Sequence, residues 1–167
     1  MSRFIRNDPA VLAAYIEWLG RGLILVDGRP TAGKTHLGKE MAARIRCGVI
    51  DGDAFVVRKQ DQFIGALKAD ALRERIETSL AATSLVVLST VCAREVVKKV
   101  GVPAAAFVWI ERTSMTIIDI AVRDFADDFL ADEPLADDAL RQEVEAYIKA
   151  HVARGRVYFN APPDPCE

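Results

Sequence analysis

The chain has little of what would tie it to a membrane, a polyanion or an oxidising compartment. Its three cysteines, Cys47, Cys92 and Cys166, are few, odd in number and far apart. They suggest neither a disulfide framework nor zinc-ligand spacing, and read as small core residues or free thiols. No apolar run approaches the roughly 20 residues needed to span a bilayer. The opening Met-Ser-Arg-Phe-Ile-Arg is not followed by a signal-peptide apolar region. Lys and Arg number 22 against 24 Asp and Glu, a net charge of −2. Without a basic excess, the global footprint of nucleic-acid binding is missing. No internal repeat, low-complexity tract or domain linker appears. These absences point to one domain over 1–167 in a reducing, cytoplasmic setting, with no nucleic acid and no membrane as partner. They say nothing of oligomeric state.

What is there centres on Leu23 to Thr35, reading LILVDGRPTAGKT. A short apolar run leads into Gly28-Arg29-Pro30-Thr31-Ala32-Gly33-Lys34-Thr35, which fits the phosphate-binding pattern Gly, four residues, Gly-Lys-Ser/Thr. Gly28 turns the chain out of the strand. Gly33 lets backbone approach a phosphate, and the loop N–H groups with the next helix N-terminus form a concavity suited to an anion. Lys34 is expected to reach the β- and γ-phosphates of a nucleotide, and the Thr35 hydroxyl to ligate Mg²⁺. His36 follows on the first helical turn and is counted with the nucleotide-binding loop, its side chain on the helix surface. Leu37, Met41 and Ile45 then recur every four residues, as on a helix.

The rest alternates strand and helix. Asp8-Pro9 starts a helix with an apolar face of Val11, Leu12, Tyr15, Ile16 and Leu19. Val49-Ile50 reads as a second strand and Gln62 to Ala82 as a long helix, with Phe63, Leu67, Ala71, Ile76 and Leu80 inward. Leu85 to Leu88 is a third strand, continuous in apolar residues as when both faces are covered. A short helix to Val100 and a fourth strand, Ala104 to Ile110, follow. Met115 to Leu130 reads as a helix, then come an acidic connection, an amphipathic helix from Leu140 to Val152 and a fifth strand, Val157 to Phe159. The pattern predicts an α/β three-layer sandwich: a five-stranded parallel sheet with helices on both faces.

The third strand ends in Ser89-Thr90, where many P-loop ATPases and GTPases carry a metal-binding acid, and Asn-Lys-x-Asp is missing. Both absences count against a motor or a switch. The acids sit instead after the second strand, at Asp51 and Asp53, at the edge where ligands bind in such sheets. Two apart on extended chain, they are expected to point the same way. One would approach the metal. The other would face a substrate hydroxyl and accept its proton. The competing reading of Asp-Gly-Asp is turn chemistry. Phe55, Arg58, Thr90, Cys92 and Arg94 are candidate lining residues of the acceptor pocket, the two arginines for an acidic group.

Val26-Asp27-Gly28 with its loop, Ile50-Asp51-Gly52-Asp53, and Arg123-Asp124 together resemble the small P-loop kinases of nucleosides, sugar acids and related metabolites: uridine, gluconate, shikimate and adenylylsulfate kinases. The resemblance is specific over the first third of the chain. It implies the P-loop nucleoside triphosphate hydrolase fold, strand order 2-3-1-4-5, a lid around 123–138, and ATP with Mg²⁺. Carried over by position, Asp53 is the base or hydroxyl ligand, Asp51 a second acid near the metal, and Arg123 the lid arginine. One departure stands out: that lid is acidic, with Arg123 its only arginine. The expected function is ATP-dependent phosphoryl transfer to a small metabolite's hydroxyl. The alternatives are a nucleotide-binding protein with slow or no hydrolysis, acting through a partner, and a kinase of antibiotics or nucleotide-sugars.

Overall fold

The computed structural model describes residues 3–6, 9–28, 32–57, 62–112, 142–143, 146–147, 150 and 157–161. The expected helix over 115–130, the lid at 123–138, and the candidates Arg29, Pro30, Thr31, Arg58 and Arg123 lie outside them.

Strands β1 (Arg3–Arg6), β2 (Gly22–Gly28), β3 (Gly48–Asp51), β4 (Leu85–Ser89), β5 (Ala104–Arg112) and β6 (Val157–Ala161) alternate with helices α1 (Pro9–Leu19), α2 (Lys34–Arg44), α3 (Ala69–Thr83) and α4 (Ala93–Val100). Among the described residues the sheet has six strands in the order β1-β6-β5-β2-β4-β3, and every pairing is parallel. The expected count of five is therefore corrected. The first four expected strands hold their order 2-3-1-4. β6 lies beside β5, and the unexpected β1 pairs with β6, Arg3 opposite Val157.

β2 is central, and its period-2 alternation builds two cores. Ile24 and Val26 join Leu12 and Ile16 of α1 and Leu37 and Met41 of α2 on one face. Leu23 and Leu25 join Leu72 and Ile76 of α3 and Val96 and Val100 of α4 on the other. A strand covered on both faces has no solvent side to keep polar, so β2 and β4 are apolar almost throughout.

The expected long helix from Gln62 is shorter. Residues 63–66 form a turn, Lys68 is non-helical, and α3 begins at Ala69. An isolated antiparallel bridge joins Val56 to Leu67. The helical phase is reset there, so Leu72 and Ile76 are buried while Ala71, expected inward, is exposed. Phe63 and Leu67 are buried from the turn instead.

Candidate functional site

Parallel strands bring their C-terminal ends to one edge, where β2 runs out at Gly28 and β3 at Asp51. β2 ends at Gly28, whose N–H donates to Asp27 Oδ1 at 2.8 Å. A Cβ on Gly28 would lie 2.9 Å from the Ile110 carbonyl oxygen, so the strand end has room only for glycine. Gly33 caps α2 with φ of 87°, a conformation glycine adopts without strain. Ala32 is buried against the α1–α2 core.

Lys34 opens α2 and is buried, its ammonium donating to the Gly28 carbonyl at 3.1 Å. Burial pushes this ammonium below the usual lysine range, while the charges of Asp53, Asp27 and Asp51 oppose the shift. Thr35 and His36 are exposed on the same turn. The Thr35 hydroxyl donates to Asp51 Oδ2 at 3.3 Å, which ties the start of α2 to the end of β3.

Asp51 ends β3 on extended chain, but Asp53 does not continue it. Gly52–Phe55 is a single 3-10 turn, capped by Asp51, whose Oδ1 accepts from the Asp53 N–H at 3.1 Å. The turn chemistry weighed for Asp-Gly-Asp is thus present, and one Asp51 oxygen serves it while the other meets Thr35. Asp53 reaches into solvent, yet the atoms packed around its base and the neighbouring Asp51 raise its carboxyl above the usual range, against the pull of Lys34.

The other candidates divide. Thr90 and Cys92 are buried beneath this edge. The Thr90 hydroxyl donates to the Val91 carbonyl at 3.1 Å. The Cys92 thiol is pushed up to about 12, by burial first and then by Glu143, Asp27 and Glu95. Phe55 is half-buried and lines a shallow groove with Ala71, Glu74, Arg75 and Thr78 of α3. The Arg94 guanidinium lies 4.2 Å from the centroid of the Phe107 ring, a cation–π contact within the fold.

Two residues that sequence reasoning left without a role complete the edge. Asp27 is 4% exposed and Tyr147 is 5% exposed. The Tyr147 hydroxyl donates to Asp27 Oδ2 at 2.5 Å and accepts from the Arg94 N–H at 3.0 Å. The only signal in the sequence was an acid directly before the first glycine of the loop.

No known protein-family profile matches the chain, and no curated protein matches it in sequence. Fold and edge together define an α/β protein with a parallel sheet, whose central strand runs out at Gly28 and whose next helix opens at Lys34. Among solved structures, the chain is similar to a possible uridine kinase from Bacillus stearothermophilus, at 13% identity and a TM-score of 0.59. That match covers 91% of this chain and 97% of that one. At this identity the likeness shows the fold and no more. Among the described residues, no helix is long and apolar enough to cross a membrane.

Proposed function

We propose that the protein transfers the γ-phosphoryl group of ATP to a hydroxyl of a small metabolite, such as a nucleoside or sugar acid. The observation that carries this reading is the meeting of the Thr35 hydroxyl with Asp51, which joins the residue after buried Lys34 to the acid two residues before Asp53. Hydroxyl and carboxylate oxygens are the donors a hard cation such as Mg²⁺ prefers. Among the described residues no three His, Cys, Asp or Glu side chains come together as a metal cluster. Thr35 and Asp51 would therefore hold Mg²⁺ jointly with phosphate and water, as Mg²⁺ is usually held beside nucleotides. When bound, the ion would draw charge from the β- and γ-phosphate oxygens.

The chain's own residues supply the rest. The backbone from Gly28 to Gly33 cradles phosphates, and Lys34 exchanges the Gly28 carbonyl for a phosphate oxygen. Asp53 accepts the proton of the acceptor hydroxyl as its oxygen bonds to the γ-phosphorus and the bond to ADP breaks. A raised carboxyl pKa suits a base of this kind. Arg123 is assigned to the γ-phosphate, and Phe55 and Arg58 to the acceptor side.

A second reading has one observation in its favour. β4 ends in Ser89, not in an acid, which fits a nucleotide-binding protein that hydrolyses slowly. ADP release from ATP–Mg²⁺ across a panel of nucleosides, sugar acids, shikimate and antibiotic alcohols separates the two. Stimulation by one acceptor, lost in Asp53→Asn, supports transfer. Tight ATP binding with no stimulated transfer puts the second reading ahead.

A further inference from the structure

The backbone at Gln142, Glu143, Ala146, Tyr147 and Ala150 is helical, and Glu143 and Tyr147 are four residues apart in the sequence. They touch three separate elements of the ligand edge. The Glu143 carboxylate accepts the N–H groups of Phe63 at 2.8 Å and Ile64 at 3.2 Å. That turn is held from its other side by Lys99, whose ammonium donates to the Ile64 carbonyl at 2.5 Å. The Tyr147 hydroxyl takes the Arg94 N–H, in the first turn of α4, and donates to Asp27. First-turn N–H groups have no partner within their own helix, so a hydroxyl there meets a real need. Asp27 in turn passes its other oxygen to the Gly28 N–H. One hydroxyl thus sits between the start of α4 and the carboxylate that caps the first glycine of the phosphate loop.

We infer that Tyr147 is a positioning residue for the phosphate loop, acting through Asp27, with Glu143 anchoring the same stretch to the turn at 63–66. Three features carry this. The chain is buried, with Asp27 at 4% and Tyr147 at 5% exposure, so water does not compete freely for its bonds. It runs from the loop to a residue 120 positions away. It also fixes the carboxylate whose charge bears on Lys34. A buried hydroxyl that both donates and accepts orients its partner, because moving it loses two bonds at once. The part that concerns nucleotide affinity rests on the proposed function; the part that concerns loop geometry does not.

The test uses the full chain with Tyr147→Phe, which keeps the ring and its packing and removes only the hydroxyl. Amide hydrogen exchange is read at Gly28, normalised to Ile24 in the same strand, together with the Kd for ATP–Mg²⁺. Gly28 is expected to exchange about tenfold faster relative to Ile24, and ATP–Mg²⁺ to bind several-fold more weakly. Ile76→Val, fully buried in α3, controls for lost stability and is expected to leave the Gly28 ratio unchanged. In an Asp27→Asn background, Tyr147→Phe should have little further effect, because the path runs through that carboxylate. An unchanged Gly28 ratio in Tyr147→Phe overturns the inference, whether or not nucleotide binds. So does a Gly28 change of equal size in Ile76→Val. Failure of the wild-type chain to bind nucleotide overturns the proposed function instead, and the exchange ratio still decides the role of Tyr147.

Discussion

Replacing Gly52 by alanine stresses the ligand edge at its tightest point. An added Cβ would lie 2.7 Å from Thr90 Cβ, 2.8 Å from Thr90 Oγ1 and 3.2 Å from the Ser89 carbonyl oxygen. Thr90 cannot swing aside. It is fully buried, its N–H donates to the Val26 carbonyl at 3.1 Å and its hydroxyl to the Val91 carbonyl at 3.1 Å. The exit of β3 must then move away from β4. Overpacking of this kind costs about 1–3 kcal/mol, and the two contacts on a fixed neighbour argue for about 2 kcal/mol. Because Gly52 separates Asp51 from Asp53, the same movement draws Asp51 away from Thr35, and ATP–Mg²⁺ affinity should fall with stability. Urea unfolding reads the first effect as a lowered midpoint at unchanged slope, and calorimetric titration reads the second. Adding Thr90→Ala should recover only part of the loss, since it removes Oγ1 and leaves Cβ in place. A loss below about 0.5 kcal/mol, with affinity unchanged, would refute the close approach of β3 and β4 argued here.

Three further outcomes follow from burial. The Cys92 thiol, raised from 9.0 to about 12, stays protonated in the folded chain where it would ionise unfolded. Stability is therefore fully present below pH 9 and falls as pH rises from 9 towards 12, and Cys92→Ala should flatten that slope in urea titrations. Iodoacetamide at pH 8 should spare Cys92, buried in the core, and modify half-buried Cys47 faster; the reverse order would contradict the burial of Cys92. On α3, Leu72→Ala should cost about 2–5 kcal/mol, while Ala71→Ser, on the exposed face, should stay within about 0.5 kcal/mol. Equal losses at the two positions would mean that the helix does not begin its register at Ala69.

Local patterns were legible and long-range partners were not. The run from Leu23 to Thr35 announced a strand, a loop and a helix, because glycine, lysine and apolar period all act within a few residues. The stretch Gln62 to Leu67 has the same helical period as α3, yet Glu143 and Lys99 hold its backbone in a turn, and neither contact is visible from local spacing. β1 was missed because four residues, Arg-Phe-Ile-Arg, carry too little alternation to mark a strand; its pairing with β6 joins the two ends of the chain. Asp51 and Asp53 were found as residues but not in their geometry, since the 3-10 turn at Gly52 breaks the extended spacing. Arg94 reads as a substrate-binding cation, whereas the fold lays it over Phe107. Tyr147 falls inside the amphipathic helix expected from Leu140 to Val152, with nothing local to set it apart. Its hydroxyl matters only because the fold brings Asp27 to it.

The central claim is that Gly28 to Thr35 binds a nucleoside triphosphate with Mg²⁺. Calorimetric titration of ATP–Mg²⁺ into the wild-type chain and into Lys34→Ala tests it most directly. Saturable binding to the wild type, weakened at least about tenfold in the variant because an ammonium–phosphate contact is gone, is the predicted result. No binding to the wild-type chain, or equal binding to both, would contradict the account.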